Sequence, residues 1–524
     1  MSVPRRALLG AAVALAAPPA RAQITTLDLA PAALPVRPDD WVAAGHARQV
    51  LIRWGDRVTF DAPPWAPRNP TPDAAAAQFG WDGRLASIVV PPMASDGIPR
   101  LVACVVHPQV DPAMAWPGGR DRAAVAAAMQ GASLLNLERT ASGWMVVDGG
   151  FQSRRLGADT LCRWSGPAAG TEAVQGILAP EAGCATPWGS ALLAEGDPEP
   201  WLARLRDLDP RWRTANRFGW VLELDPLDPQ SVPVKRSALG RIGAAAVAAT
   251  RAADGRAVVF LADGRAMGFV YRFLSAGLAE APDALDDGQL YAARAEGDAI
   301  AWLPLPEGAA VDPASAATLA GASRFDRPAA LALDPAGPRL LLACRAGSSR
   351  SPDQVEALNP RAGAHPGHVL ELAGDLAAER LSARVLFLAG DAGEGGSYGR
   401  DQPMAALPRY PATLSVDARG RLWVGTDRAG RPGTAADAVF ACDLDGPGRA
   451  VLLPAYAAPR GAGIGGAATT PEADALLVLV RAPGAEPGAS FDRPTTRWPG
   501  FEARTPPRTA LVAVAKRGGG AVGG

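Results

Sequence analysis

The side chains best suited to metal or nucleophilic chemistry are few and widely spaced in this chain. They are five cysteines and four histidines: Cys104, Cys162, Cys184, Cys344, Cys442, His46, His107, His365 and His368. No two cysteines have the C-x-x-C spacing of a zinc or redox pair, and no histidine lies in an H-E-x-x-H motif. The cysteines are therefore expected to be buried apolar side chains, with one or two disulfides open to them in an oxidising compartment.

The charge balance excludes whole classes of partner. The 524 residues include 52 Lys plus Arg and 53 Asp plus Glu, a formal net charge of -1. A nucleic-acid-binding chain, or one held on an anionic membrane surface, would carry a basic excess. We therefore expect no nucleic-acid partner and, once the export signal described next is removed, no membrane partner. The protein is also expected to be a monomer. Any ligand would be selected by a local site.

The N-terminal segment has the pattern of a cleaved export signal. A basic pair, Arg5 and Arg6, precedes an apolar run over residues 7–17 and a small-residue end at 20–22. This order is typical of secretory signals, and the run is too short to span a bilayer. The arginine pair is similar to a twin-arginine signal, with an ordinary Sec signal as the alternative. We expect residues 1–22 to be removed and the mature protein to be periplasmic or secreted.

Short β-patterned runs recur along most of the chain. Glycine (58) and proline (50) make up about a fifth of all residues, which excludes a long helical bundle. The length alone suggests two or three domains or one large repeated one. A "strand, Asp, turn, Gly, strand" order recurs at 219–229, 256–265, 327–347, 412–430 and 473–484. This recurrence predicts an all-β fold, a β-propeller, with helix confined to segments such as 120–129 and 199–208.

Ordered motifs give the chain a resemblance to a known family. They include LIRWGD (51–56), QFGWDGR (78–84), ATPWGS (185–190), FGWVLELDP (218–226), FDRP (325–328) and GRLWVGTD (420–427). In this order they resemble the PhoX-type alkaline phosphatases, secreted β-propellers that hydrolyse phosphomonoesters at an iron and calcium site. The resemblance implies a propeller of six blades with few short helices and long loops. It would span residues 51–515, after an irregular lead-in (23–50) and before a flexible tail (516–524).

Compared with that family, most metal-ligand positions are changed. The family's cysteine ligand is Glu181 here, and its His-Glu pair after Arg241 falls in the run Gly243-Ala244-Ala245-Ala246. A glutamate that follows FDRP in the family is Ala329, and an aspartate of the family is Ala412. Near the end of the chain a family glutamate is Gly463, and a family Gln-His pair is Arg481-Ala482. Because a cluster of hard cations needs several carboxylates, the departures predict that iron and calcium are reduced or absent.

Four residues keep a possible role through the resemblance. Arg327 matches the family arginine that contacts phosphate, and its planar guanidinium suits an oxyanion. The candidate metal ligands are Glu181, Glu195 in LLAEGD and Asp263 in FLADGR. The residues also allow structural roles: Arg327 paired with Asp326, Glu181 as a solvated loop residue, and Asp263 as a hairpin turn residue. Cys184, three residues after Glu181, is an alternative metal ligand, displaced from the family position.

Three functions are compatible with these observations. The favoured one is a degenerate or inactive phosphatase-like propeller that kept the fold and lost the metals. The second is an active phosphatase with a reduced cation site built from Glu181, Glu195 and Arg327. The third is a propeller whose vacated centre binds a small anion, a phosphate ester or a partner, with Arg327 as the anchor.

Overall fold

The computed structural model describes residues 25–524 except 172, 429 and 432, so the predicted signal peptide (1–22) lies outside the described residues. In this range the helices are α1 Pro72–Ala77, α2 Pro112–Ala115, α3 Ala123–Met129, α4 Glu199–Leu205 and α5 Pro313–Leu319. The strands are β1 Trp41–Val42, β2 His46–Arg53, β3 Arg84–Val89, β4 Arg100–His107, β5 Gly131–Thr140, β6 Gly143–Val146, β7 Arg154–Leu156, β8 Leu161–Ser165, β9 Ala173–Gln175, β10 Pro180–Ala185, β11 Ala191–Glu195, β12 Val221–Leu224, β13 Val234–Arg236, β14 Ala244–Arg251, β15 Arg256–Asp263, β16 Val270–Leu278, β17 Gly288–Glu296, β18 Ala299–Pro304, β19 Pro328–Leu333, β20 Arg339–Cys344, β21 His368–Ala373, β22 Arg380–Leu388, β23 Pro411–Val416, β24 Arg421–Thr426, β25 Ala438–Asp443, β26 Leu453–Ala457, β27 Gly463–Thr469, β28 Leu476–Arg481 and β29 Ala510–Lys516.

Inner strands surround a central channel. They are β3, β10, β14, β19, β23 and β27; each contacts the next, and β27 contacts β3 to close the ring. From each inner strand an antiparallel sheet runs outward, as in β14-β15-β16-β17 and β23-β24-β25-β26. Apolar side chains fill the space between neighbouring sheets. Val259 and Val478 belong to two different clusters of this kind, and both are fully buried. The predicted all-β propeller is confirmed.

The two ends of the chain are joined through the sheets. Strand β2 pairs with β29 in an antiparallel register that sets His46 opposite Lys516, and β1 pairs with β26. Part of the predicted irregular lead-in (23–50) therefore forms outer strands. In the segment 516–524, for which the sequence predicts a flexible tail, Val522 is fully buried and its N–H donates to Ala473 O at 2.7 Å. Its apolar side chain fills the core that the last two sheets share, which holds the segment in place.

The inner strands share one local design at their starts. The residue before the strand has a positive φ in four of them: Ala179, Gly243, Arg327 and Tyr410. Each strand then carries a β-bulge at its second residue, which the register with the next strand skips: Glu181 in β10, Ala245 in β14, Ala329 in β19 and Ala412 in β23. A bulge turns the extra side chain out of the sheet pattern, so these four positions face the axis.

Other sequence expectations can be compared directly with the fold. Helices α3 and α4 fall within the predicted segments 120–129 and 199–208. All five cysteines are free, so no disulfide forms among them; Cys184 is half-buried and the other four are buried. No helix in the described part of the chain combines the length and the apolar character needed to cross a bilayer.

Candidate functional site

A deep cavity opens where the inner strands begin. It has a volume of about 1220 Å³ and continues into the central channel, which adds about 380 Å³. Arg84, Glu181, Ala245 and Ala329 line both spaces and mark the junction between them. Strands β20 and β28 run antiparallel to the inner strands β19 and β27, so their C-terminal ends reach the same cavity.

The positions that differ from the family come together in this cavity. Ala245 and Ala329 are bulge residues at its floor, and Gly463 and Ala482 lie on its wall. Ala412, a bulge residue of β23, lines the channel just below. Substitutions that are far apart in the sequence are therefore neighbours in the fold. They replace ligand side chains with methyl groups or hydrogen atoms around one space.

Three carboxylates in or next to the cavity, those of Glu181, Asp427 and Asp82, are paired with arginines. Glu181 and Arg84 form an ion pair at 3.0 Å, with 20% and 14% of their side chains exposed. Arg481, the last residue of β28, donates to both oxygens of Asp82 at 2.9 and 2.6 Å. A third donor of Arg481 reaches Asp427 Oδ2 at 2.7 Å. One guanidinium thus joins two acids, one before β3 and one after β24.

Burial makes these pairs strong and their separation costly. The Asp82 side chain is fully buried, and those of Asp427 and Arg481 are 5% and 12% exposed. Burial alone would lower the pKa of Arg481, but the charges of Asp82 and Asp427 hold it well above its usual value. Arg481 is therefore always charged, and it acts as the fixed counter-ion of this part of the cavity.

Arg327 lies at the cavity wall with its guanidinium uncommitted. It is half-buried, and its side chain makes no hydrogen bond or ion pair with the described residues. Asp326, its proposed structural partner, instead pairs with Arg350 Nε at 3.1 Å and with His365 Nε2 at 3.3 Å. Arg327 shares its positive φ of 53° with the equivalent position of other inner strands, so this conformation belongs to the fold.

Arg345 stands beside Arg327. Its backbone N–H donates to Arg327 O at 2.9 Å, because the two residues face each other across β19 and β20. Its side chain is 17% exposed, and its nearest acidic oxygen, Asp427 Oδ2, is 3.9 Å away. That distance is beyond a hydrogen bond. Two adjacent guanidiniums therefore face the cavity with unused donors.

The other two candidate ligands are each paired with a basic side chain. The Glu195 side chain is fully buried, pairs with Lys235 at 2.9 Å and accepts the N–H groups of Leu178, Gly219 and Trp220 at 2.9, 2.9 and 3.1 Å. It does not line the cavity. Asp263 lines it but pairs with Arg265 at 2.6 Å. Asp263 ends β15 and β16 begins at residue 270, so Asp263-Gly264 does not form a two-residue hairpin.

The donor set does not fit the family's iron and calcium. Among the residues that the structure describes, no three His, Cys, Asp or Glu side chains are placed to hold one ion together. The central acids Asp82, Glu181 and Asp427 are each within 3.0 Å of a guanidinium nitrogen. A metal ion here would have to displace arginines and remain next to them.

The arginine pairing could not be seen in the sequence motifs taken singly. Asp82 and Arg84 both lie in QFGWDGR, Arg481 takes the place of a family glutamine, and Arg345 lies outside the motifs shared with the family. Asp82 and Arg481 are 399 residues apart in the chain, and the ring of inner strands brings them together. The sequence did contain one signal for the pairing, which is the type of residue that replaces the family's residues. At some of these positions the new residue is arginine, whereas at others it is alanine or glycine.

Comparisons with known proteins agree with this fold. The family model described as alkaline phosphatase PhoX matches residues 30–484. Among solved structures, Pseudomonas fluorescens PhoX in complex with vanadate, a transition state analogue, superposes with a TM-score of 0.86 at 26% identity, covering 96% of this chain and all of that one. A gluconolactonase of Xanthomonas campestris gives a TM-score of 0.31 at 12% identity, over 87% and 98% of the two chains. Comparison with curated proteins finds no match. The chain belongs to the PhoX alkaline phosphatase family.

Proposed function

We propose that this protein is an exported member of the PhoX family that no longer carries out the family's metal-dependent phosphomonoester hydrolysis. One observation carries the proposal: the acids left at the centre are neutralised by arginines, while the equivalent bulge positions hold Ala245, Ala329 and Ala412. The arginine guanidiniums supply the positive charge that bound metal ions would otherwise supply.

Electrostatics supports this proposal with a simple magnitude. Two unit charges 4 Å apart interact by about 4 kcal/mol at an effective dielectric constant of 20, and a divalent ion doubles this to about 8 kcal/mol. A divalent ion bound by Glu181 would lie about that far from Arg84, which now holds the carboxylate. The binding energy of one carboxylate would be opposed by a repulsion of similar size.

The reduced cation site, the second function expected from the sequence, gains no support from the geometry. It would need Glu181 and Glu195 on one ion, with Arg327 placed to contact the phosphate. The Glu195 carboxylate is used by three backbone N–H groups and Lys235, away from the cavity. Releasing it would leave Lys235 buried without a counter-ion, at a cost of about 3–5 kcal/mol.

Export is the cellular part of the proposal. It rests on the arginine pair and apolar run of the first 22 residues and on the family to which the chain belongs. The mature N-terminus, measured by mass spectrometry on protein recovered from the periplasm or medium, should lie near Gln23. Recovery of the uncleaved chain in the cytoplasm would contradict export.

Hydrolysis of an aryl phosphate tests the chemical part. The protein is expressed with its own N-terminal segment, with iron and calcium supplied, and assayed with p-nitrophenyl phosphate at alkaline pH beside an Arg327→Ala variant. We expect both proteins to give the background rate. A rate above background in the unmodified protein that disappears in Arg327→Ala would show that the site is an active phosphatase.

A further inference from the structure

One wall of the cavity carries polar groups that the described part of the chain does not satisfy. Residues at the starts of β3 and β10 and just after β4 and β11 form this wall: Trp81, Arg84, Gln109, Glu181 and Asp197. Arg84 stands opposite Val106 in the β3–β4 register, and continuing that register sets Trp81 opposite Gln109. The wall faces Arg327 across the axis, because β19 stands three strands from β3 around the ring of six inner strands.

Trp81 brings an unpartnered donor to this wall. Its side chain belongs to a buried apolar cluster and is only 7% exposed, and that exposed part lines the cavity. Its indole N–H makes no hydrogen bond with any described residue. The next residue is held firmly, because Arg481 pairs with the Asp82 carboxylate and His107 Nδ1 donates to Asp82 O at 2.6 Å. The donor is therefore fixed in place, and a ligand that accepts from it would gain a hydrogen bond.

The rest of the wall supplies acceptors. Glu181 has Arg84 as its only partner among the described residues, so its carboxylate keeps unused lone pairs. Asp197 accepts the N–H of Glu199 with Oδ1 at 3.0 Å, and its Oδ2 has no partner in the described chain. The exposed amide of Gln109 also has no hydrogen bond to a described residue, so it can both donate and accept.

The charges of the cavity select against an ion. Among the described residues, six arginines and seven Asp or Glu side chains line it, and on this wall one guanidinium meets two carboxylates. An anion here would be repelled by Glu181 and Asp197. An ammonium group has no acceptor and would leave the Trp81 N–H unpaired. A hydroxyl both donates and accepts, so two neighbouring hydroxyls can satisfy the Trp81 N–H and a carboxylate together.

We propose that this wall binds a neutral saccharide through neighbouring hydroxyl groups, with Trp81 Nε1 donating to one hydroxyl and Glu181 and Asp197 accepting from others. The inference rests on the proposed function, because a carboxylate that binds a metal ion is not free to accept from a hydroxyl. The cavity volume of about 1220 Å³ exceeds the roughly 300–1,000 Å³ of common ligand pockets, so it has room for more than one sugar ring.

Calorimetric titration with maltose, cellobiose and sucrose in the presence of EDTA tests the proposal. We expect at least one of these disaccharides to bind with a Kd below about 10 mM. Trp81→Phe keeps an aromatic ring and removes the N–H, so it should weaken binding roughly fivefold or more. Gln109→Ala should weaken binding roughly threefold or more, and it guards against misfolding because the exposed amide has no partner to lose.

Trp164→Phe is the matched control. Trp164 is 6% exposed, its indole N–H is also unpartnered, and it does not line the cavity. This variant should alter saccharide binding by less than about twofold. Equal weakening in Trp164→Phe and Trp81→Phe would overturn the inference, since the loss would then not come from the cavity wall.

The other outcomes separate this inference from the proposed function. No binding of the three disaccharides up to about 10 mM in EDTA, with no hydrolysis of aryl phosphate, overturns the inference and leaves the proposed function standing. Acetate or methylammonium that binds more tightly than all three disaccharides also overturns it, because the site would then select an ion. Saccharide binding that appears only with iron or calcium, together with hydrolysis of aryl phosphate, overturns both.

Discussion

Replacing Arg481 with methionine should destabilise the protein strongly at neutral pH. Arg481 provides both hydrogen-bonded contacts of the fully buried Asp82 carboxylate and a 2.7 Å contact to Asp427. Methionine keeps much of the side-chain volume and removes only the charge and its donors. Breaking a buried pair in this way leaves an uncompensated charge and costs about 3–5 kcal/mol. Two acids lose the same partner here, so we expect the upper part of that range.

The loss is measured as the free energy of unfolding in urea, followed by tryptophan fluorescence at pH 7. Arg68→Met is the control: it breaks an ion pair with Asp492 whose side chains are 53% and 48% exposed, and it should cost less than about 1 kcal/mol. The double variant Arg481→Met/Asp82→Asn should recover part of the loss, because one buried negative charge is then gone. A loss in Arg481→Met no larger than in Arg68→Met would refute the claim that arginine is the counter-ion of the site.

Three further results are expected. Lys235→Met should lower the free energy of unfolding in urea by about 3–5 kcal/mol, because the Lys235–Glu195 pair is fully buried. Adding Glu195→Gln should make that loss smaller, and a loss under about 1 kcal/mol in Lys235→Met would contradict this expectation. Burial raises the pKa of Asp437 from 3.8 to about 6, so folding is penalised above pH 6 and this penalty fades towards pH 4. The effect of Asp437→Asn on the free energy of unfolding should therefore become more favourable by up to about 3 kcal/mol between pH 4 and pH 8, whatever the loss of its contacts to Arg428 and Thr426 costs at both pH values; equal effects at both pH values would show that the charge is not the cause. Deleting residues 518–524 should lower stability by about 1.5–3 kcal/mol through the loss of buried Val522, and an unchanged thermal midpoint would mean that the segment adds nothing.

The architecture was predictable because strand and turn signals are local. Runs such as 327–347 contain a complete β19–β20 hairpin, so their pattern is visible without the rest of the chain. The closure of the ring was not predictable in the same way. Strand β2 pairs with β29, more than 450 residues later, and its own sequence says nothing of that partner. For the same reason the segment 516–524 looked flexible although Val522 is buried.

The sequence predicted which ligand residues of the family are replaced, but not how the remaining charged side chains of the site are paired. The resemblance to the family predicts that Ala329, Ala412 and the run 243–246 stand at ligand positions, and in the structure Ala245, Ala329 and Ala412 are bulge residues of inner strands. The pairing of Arg481 with Asp82 depends on two strand ends meeting at the axis. No spacing rule in the sequence encodes such a contact. Glu195 shows the opposite case, since its match to a ligand position hid a buried ion pair.

These observations describe a change of counter-ion within a preserved fold. The family's metal site needs many carboxylates, and charges of one sign that remain without metals would repel one another. Here most of those positions are apolar, and the acids that remain are held by arginines. The cavity stays open, and Arg327 and Arg345 line it with guanidiniums that donate no hydrogen bond to a described residue.

Elemental analysis of the purified protein tests the central claim most directly. The protein is produced with its own N-terminal segment in cells supplied with iron and calcium, purified without chelator, and measured beside a Glu181→Ala variant. We predict fewer than about one tightly bound iron or calcium ion per chain in both proteins, with no difference between them. Stoichiometric iron in the unmodified protein, reduced in Glu181→Ala, would contradict the account.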